Sequence, residues 1–318
     1  MRRLFLLLLL LGLSGGANAA CTAALATSAT FGSVTSFAVN STAQNINTPL
    51  TLTCDTVLNL LTVGDTVTLT YLGAAPASGT RGGMQRTGNT TDTIPVMLCT
   101  VDGCGSEVAN NSGTYTWSGN TLLTLLGNRT YTLPLYFRTV PGQSVAAGTY
   151  QTALTLRFNW SVCSVGVAVC LVAQTGNATF TLNVTITVTN DCSAMSTPDV
   201  SFGSQPLVGS FPTISQTIAL TCTKGSIYTV GISNGNYANG SVRNMASGNN
   251  RMSYEIYKGT TANRWGASGT ERWASTDSTS VSTDGLLRSY NYTAKVLSGQ
   301  TTPPAGNYSD TLVVDVAF

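Results

Sequence analysis

The chain has 318 residues, of which only 9% are charged; its formal net charge is +2 and it contains no histidine. So small a charge excludes nucleic acid as an electrostatic partner, and the lack of histidine excludes the common hydrolytic triads and proton shuttles. The acidic residues are scattered through predicted turns, without the carboxylate pair of a glycosidase. We therefore expect a protein that is not an enzyme and takes no cofactor.

The first element is a predicted signal peptide over residues 1–19. An arginine pair precedes the unbroken apolar run 4–11, and small residues lead to a cleavage position after Ala19. The apolar run is too short to span a membrane stably. Lipidation of the nearby Cys21 is an alternative, although Asn18 stands where that signal takes an aliphatic residue. We expect an exported chain.

The exported part of the chain contains two copies of one sequence repeat. ATFGS and LTLTC in the first half correspond to VSFGS and IALTC in the second. The closing stretch AAGTYQTALTLRFNW (146–160) corresponds to PAGNYSDTLVVDVAF (304–318). Such internal similarity divides a chain without an alignment. It predicts an N-terminal domain over 20–190 and a C-terminal domain over 191–318.

Each half alternates apolar and polar residues, as in 66–71 and 131–137, with Gly, Asn and Asp at short intervals. This pattern indicates an all-β fold of two immunoglobulin-like antiparallel β-sandwiches. An even number of cysteines in an exported chain indicates disulfides, and an oxidising compartment without histidine disfavours zinc. Spacing does not prove connectivity, but the repeat favours the pairs Cys21 with Cys54 and Cys192 with Cys222. The remaining cysteines are expected to close two short loops, Cys99 with Cys104 and Cys163 with Cys170.

The two halves end differently. In the first half the closing strand is followed by CSVGVAVC and then by a further predicted strand over 177–189. The second half ends at the equivalent of the earlier strand, so we expect its sandwich to lack the last strand. The resulting groove would be lined by Leu312, Val314, Val316 and Phe318 and completed by a strand from another chain. Alternatively, the second repeat closes by other contacts.

The second half resembles a known family. DVSFGS, IALTCTKGSIYTVGISNG, VRNM, MSYEIY, RWG and PAGNYSDTLVVDVAF together resemble the spore coat protein U domain, and the first half carries a weaker version. This family supplies the subunits of archaic (Csu-type) chaperone–usher pili. A two-domain member resembles the tip adhesin of such a pilus, and the predicted mature start at Ala20 leaves no N-terminal strand to donate.

The resemblance implies a set of partners and a location. The partners are a periplasmic pilus chaperone, an outer-membrane usher, and the next pilus subunit, bound by donor-strand exchange. The location is the pilus tip at the cell surface, reached through the periplasm. The N-terminal domain would then face outward and contact a hydrophobic surface or a receptor.

Apolar clusters occur in the connections that we expect at the outward end of the N-terminal domain, 55–64, 99–128 and 160–176. The predicted surface-binding residues are Val57, Leu58, Leu60, Leu61, Leu122, Leu123, Leu125, Leu126, Val165, Val167 and Val169. Contiguous exposed apolar surface usually marks a contact site. We therefore expect attachment to surfaces and biofilm formation.

Other interpretations stay open. The leucines at 122–126 could cap the core instead of lying at the surface. Trp117, Tyr115 and Asp102 could contribute to a sugar pocket, which would make the protein a tip lectin for a host or matrix glycan. A structural pilus or coat subunit is a further alternative.

Overall fold

The computed structural model describes residues 21–55, 64–127, 130–167 and 169–318. Strands dominate it and the helices are short, which confirms the predicted all-β fold with antiparallel sheets. No helix in this part of the chain is long and apolar enough to cross a membrane. The predicted signal peptide lies outside the described residues.

The first repeat extends from Cys21 to Thr189. Its strands are β1 (Cys21–Ala24), β2 (Ser28–Thr35), β3 (Asn45–Asn47), β4 (Leu50–Cys54), β5 (Thr66–Ala75), β6 (Ala77–Ser78), β7 (Arg81–Arg86), β8 (Asn89–Cys99), β9 (Glu107–Val108), β10 (Gly113–Ser118), β11 (Leu126–Gly127), β12 (Thr130–Leu133), β13 (Tyr136–Thr139), β14 (Gly148–Val167) and β15 (Val169–Thr189). Its helices are α1 (Ser36–Ser41), α2 (Gly119–Thr124) and a 3₁₀ turn (Asp102–Cys104).

The second repeat begins at Cys192. Its strands are β16 (Cys192–Ser196), β17 (Ile214–Cys222), β18 (Thr229–Ile232), β19 (Arg243–Ser247), β20 (Asn250–Lys258), β21 (Trp273–Ala274), β22 (Ser280–Val281), β23 (Leu287–Val296) and β24 (Val314–Ala317). Its 3₁₀ turns are Val208–Ser210, Gly269–Glu271 and Ser275–Asp277.

The described chain forms two compact units, which divide it differently from the predicted domains. The first unit contains the residues up to Gly32, Ala43–Pro141 and Thr149–Ile186, and the second contains Ser33–Thr42, Gly142–Gly148 and Thr187–Phe318. In the segment with α1, the Ser36 hydroxyl lies 2.6 Å from the hydroxyl of Thr223, which belongs to the same unit. Both side chains are buried.

The last strand of the first repeat has a neighbour on each side. One sheet has the order β1, β4, β12, β11, and the other has the order β10, β5, β14, β7, β8, β13, β3. β15 pairs with β14 and also with β2. Its alternate residues Leu182, Val184, Ile186 and Val188 are buried in the core, as expected for a strand with one face inward.

The second repeat is open at the corresponding position. Its sheets have the orders β16, β17, β23, β20, β19 and β21, β18, β24. β24 pairs with β18 alone. The stretch 200–204, which repeats the ATFGS of β2 as VSFGS, pairs with no strand among the described residues. Within this part of the chain, nothing occupies the place that β15 takes in the first repeat.

Four disulfides connect the cysteines in the predicted pairs. They are Cys21–Cys54, Cys99–Cys104, Cys163–Cys170 and Cys192–Cys222. The first and the last each join residues that face each other across the first strand pair of a repeat. A loop of about this size contributes roughly 3 to 4 kcal/mol in the chain-entropy account.

A buried carboxylate joins the two sheets of the first unit. Asp65 is 3% exposed and directly precedes β5. Its Oδ1 accepts a hydrogen bond from the backbone N–H of Cys163 in β14 at 2.8 Å, and its Oδ2 accepts one from the hydroxyl of Tyr131 in β12 at 3.2 Å. Asp65 therefore fixes the position of β14 just beyond Ser161, where its pairing with β5 ends.

Replacing Asp65 with alanine should destabilise the first unit. The Asp65→Ala variant leaves the N–H of Cys163 and the hydroxyl of Tyr131 buried without an acceptor, at a cost of about 1–3 kcal/mol for each group. Asp65→Asn is the matched control, because its amide oxygen still accepts from Cys163. Urea denaturation measures both variants, and equal stability of the two would contradict this role.

An ion network with little solvent access supports the second unit. The Arg243 side chain is 0% exposed and pairs with Glu255 in β20. It also donates to the backbone carbonyls of Ser233 at 2.9 Å and Ile232 at 2.8 Å. Burial lowers the pKa of Arg243, while the charge of Glu255 raises it. Arg264 Nε contacts the other oxygen of Glu255 at 2.8 Å. The network holds β18, β19 and β20 together.

Removing Arg243 should leave Glu255 buried with only part of its charge compensated. Breaking a buried pair in this way costs about 3–5 kcal/mol, so Arg243→Met should markedly lower the unfolding midpoint of the second unit. The control is Arg251→Met, whose guanidinium is exposed over the Tyr237 ring at 5.0 Å; its loss should cost about 1 kcal/mol or less. Similar midpoints for the two variants would show that the network does not hold these strands together.

Candidate functional sites: a stapled hairpin and an open groove

The strand register places several predicted connections at one end of the first unit. Thr66, the first residue of β5, pairs with Ser161 of β14 and with Ser118 of β10. Thr130, the first residue of β12, pairs with Thr53 near the end of β4. The chain therefore leaves β4, β10 and β14 at the same end of this unit, as the sequence predicted.

The smaller disulfide loop lies toward this end as well. β8 and β14 are each antiparallel to β7, so they run in the same direction. Cys99, the last residue of β8, is bonded to Cys104. Between them Val101 is 47% exposed. The 3₁₀ turn of this loop is held by a hydrogen bond from the Arg138 guanidinium to the Gly103 carbonyl at 3.0 Å.

The predicted connection 160–176 is wrong, because almost all of this segment is strand. β14 continues through Val167 and β15 begins at Val169. Pairing with β5 ends at Ser161. Val162 and Cys163 are still buried, so the hairpin arm consists of residues 164–167 and 169–173, and its first strand is about 13 Å long at about 3.3 Å per residue. Alternating valines favour this extended conformation, and the Cys163–Cys170 bond joins the two strands of the arm.

The hairpin arm carries exposed apolar side chains that the sequence analysis missed. Leu171 is 77% exposed and Val172 is 52% exposed. They directly follow Cys170, beside the predicted valines. This position in the sequence could have identified them as candidate surface-binding residues. The side chains of Val165, Val167 and Val169 lie outside the described residues. The whole of Val57, Leu58, Leu60 and Leu61 lies outside them too.

The leucine cluster after β10 requires a correction. Leu122 is 0% exposed and therefore belongs to the core, not to a binding surface. It lies in α2, which packs against β10 and β5, and a helix turns one of its faces inward where a loop would not. Leu125 is half-buried, and the side chains of Leu123 and Leu126 lie outside the described residues.

Two tryptophans that the sequence left open as surface residues are buried. Trp117 is 2% exposed and Trp160 is 9% exposed. A Cβ at Gly176 would lie only 2.6 Å from the Trp160 ring. Glycine at this position therefore lets the indole pack against the backbone of β15 at the base of the hairpin arm.

The second unit contains a groove, lined by apolar and polar side chains, at the place of the missing strand. It lies between residues 199–208 and 302–314 and is called the open groove below. One part has a volume of about 470 Å³ and the adjoining part about 430 Å³. Both parts are lined by Val200, Phe202, Met245 and Tyr308, which makes them continuous.

Two of the four predicted groove residues line the open groove, and the other two lie elsewhere in the second unit. Leu312 and Val314 line the open groove. Val316 packs against the core of the second unit. Phe318 is 58% exposed, and its ring centroid lies 5.8 Å from that of Tyr228. The sequence analysis missed the lining residues contributed by other strands, among them Phe202 in the repeated FGS motif, Ile218, Ile232, Met245 and Ile256.

A partly buried polar pair lies in the wall of the open groove. The Tyr254 hydroxyl donates to Asp310 Oδ2 at 2.7 Å, and the N–H of Asn236 donates to Oδ1 at 2.9 Å. Burial and the bond to Asp310 raise the pKa of Tyr254, so it stays a neutral donor. No cluster of three or more metal-ligating side chains occurs among the described residues.

Comparison with known structures finds the same fold elsewhere. The crystal structure of the CsuC-CsuE chaperone-tip adhesion subunit pre-assembly complex from archaic chaperone-usher Csu pili of Acinetobacter baumannii is similar with a TM-score of 0.60 and 23% identity, over 93% of this chain and 100% of that chain. Two other structures align with TM-scores of 0.37 and 10% identity, too low to add weight. They are the CupB6 tip adhesin from Pseudomonas aeruginosa, over 94% and 95% of the chains, and CfaE, the adhesive subunit of CFA/I fimbria of enterotoxigenic Escherichia coli, over 91% of each.

The sequence comparison agrees with the internal repeat. No curated protein sequence matches the chain. The Spore Coat Protein U domain matches it twice, over residues 10–157 and 178–315. The two matches cover most of the chain and confirm the resemblance that the sequence motifs indicated. The chain belongs to the Spore Coat Protein U domain family.

Proposed function

We propose that this protein is the tip adhesin of an archaic chaperone–usher pilus and has no enzymatic activity. The observation that carries the proposal is the contrast between its two repeats. In the first, β15 lies between β14 and β2; in the second, the corresponding place is the open groove. One unit of the chain is closed and the other can accept a strand. A tip subunit needs this combination, because one of its units is held by the pilus and the other contacts a surface.

The open groove has the features of a strand-accepting site. Among the described residues, the segment 308–313 pairs along one edge, where Ser309 exchanges hydrogen bonds with Ala246 and the Val313 carbonyl accepts from Ser233 N–H. The opposite edge faces the groove. Alternate residues Leu312 and Val314 point into it, while Val313 is 63% exposed. An inserted strand would satisfy the free backbone edges and bury this apolar surface.

The expected occupants follow from this geometry and from the similar crystal structure, which holds a chaperone with a tip adhesion subunit. During export a periplasmic chaperone would fill the open groove. At the outer-membrane usher, a strand of the next pilus subunit would replace it by donor-strand exchange. The protein would thus reach the cell surface through the periplasm and stay at the pilus tip.

The hairpin arm is the proposed contact surface. Leu171 and Val172 are exposed beside a disulfide that restrains the arm. A restrained loop loses less conformational entropy on contact, and each apolar side chain that is buried against a hydrophobic surface contributes about 1.5–3 kcal/mol. We propose that Val165, Val167 and Val169 extend this surface, together with the other predicted residues except Leu122, which are Val57, Leu58, Leu60, Leu61, Leu123, Leu125 and Leu126. Many pili acting together would give firm attachment and support biofilm formation.

Polar replacements on the hairpin arm should reduce attachment without affecting the pilus. In cells that display the pilus, the double variant Leu171→Asn/Val172→Thr should lower attachment to polystyrene about tenfold or more, because one tip loses about 2–4 kcal/mol of apolar contact. Counting attached cells measures the effect, and immunoblotting for this protein confirms equal pilus assembly.

The matched control is Val281→Thr/Leu287→Asn in the second unit, where the native side chains are 51% and 42% exposed. It should leave attachment unchanged. Unchanged attachment by the hairpin-arm variant, with normal pili, would refute the contact surface. If free sugars block attachment instead, the protein is a tip lectin; if both variants and the wild type fail to attach, it is a structural pilus subunit.

A further inference from the structure

The open groove carries charge of one sign only. Among the residues that line its two parts, the charged ones are Asp199 and Asp310, and the described chain contributes no lysine or arginine to the lining. The two aspartates differ in their partners. Asp310 accepts hydrogen bonds from Tyr254 and from backbone N–H groups. Asp199 is exposed and makes no hydrogen bond or ion pair with any described residue.

Asp199 lies at a position that an inserted strand would pass. Along this edge Val200 and Phe202 line the groove with half-buried and buried side chains, whereas Asp199 and Ser201 are exposed. A strand that pairs with this edge places its own outward side chains about 4.5–5.5 Å from their neighbours across the pair. An outward side chain beside Asp199 therefore meets a carboxylate that has no other partner.

We propose that the strand completing the second unit is basic on its outward face, with lysine or arginine beside Asp199 and apolar residues at the alternate positions that enter the open groove. This inference rests on the proposed strand-accepting function and specifies the chemistry of the donor. Charge complementarity carries it: apolar side chains provide the affinity, and the single-signed charge of the lining selects the donor and accelerates its approach.

The test uses the full chain and three synthetic peptides of about ten residues, which span about 33 Å when extended. All three have valine at alternate positions, and the positions between carry lysine, glutamine or glutamate. Fluorescence anisotropy gives their affinities. We expect the lysine peptide to bind about three- to fivefold tighter than the glutamine peptide, and the glutamate peptide to bind correspondingly more weakly. The differences should shrink as salt is added.

Two variants assign the preference to one side chain. Asp199→Asn should equalise the lysine and glutamate peptides while leaving the affinity of the glutamine peptide unchanged. Asp277→Asn, an exposed carboxylate that does not line the groove, should retain the wild-type order. Because Asp199 is exposed and without a partner, its replacement does not disturb folding.

The outcomes distinguish a failure of this inference from a failure of the proposed strand-accepting function. Equal binding of all three peptides, or a lysine preference that survives in Asp199→Asn, overturns the charge selection but leaves a strand-accepting groove. Failure of even the glutamine peptide to bind overturns the strand-accepting function, and this inference with it. If a second copy of this chain fills the groove, the protein sediments as a dimer that every peptide dissociates equally, which also overturns the inference.

Discussion

Backbone hydrogen bonding is the constraint on which the second unit depends. Buried N–H and C=O groups need partners, and in a sandwich those partners come from neighbouring strands. β24 has such a neighbour on one side only. Val314 of β24 and the preceding Leu312 line the open groove. In the first repeat the corresponding strand is present. This strand, β15, has partners on both sides and buries alternate side chains.

Under the proposed function, the second unit would accept a strand and the first unit would make the surface contact. The second unit combines an open edge with a core braced by Arg243 and Glu255, so the groove can remain accessible while its walls keep their shape. The first unit is closed, and Asp65 fixes the point from which the hairpin arm projects. Exposed apolar residues at the arm are tolerable because the disulfide and strand pairing restrain their backbone, which limits collapse onto the core.

Much of this arrangement could be predicted from the sequence because it is written in periodic patterns. Period-two alternation predicted the sheets, and the repeated LTC stretches predicted the Cys21–Cys54 and Cys192–Cys222 disulfides. The different endings of the two repeats predicted the missing strand. What could not be predicted depends on tertiary contacts. The leucines after β10 read as an exposed loop, but α2 turns Leu122 inward. The sequence analysis predicted a loop over 160–176, because two cysteines so close together suggested a small closed loop. They instead join the two strands of a hairpin. Leu171 and Val172 were missed because exposure is a property of the neighbours, not of the residue.

Hydrogen exchange of the backbone amides along the open groove tests the central claim most directly. The amides of Val200, Phe202, Leu312 and Val314, whose side chains line the groove, should exchange rapidly in the free full chain, because the described residues supply no strand partner at the groove-facing edges. Adding the glutamine peptide, which probes the groove without charge selection, should slow their exchange, whereas the amides between β16 and β17 should be unaffected. Slow exchange along both edges of the groove before any strand is added would contradict the account, because it would mean that the second unit is already complete.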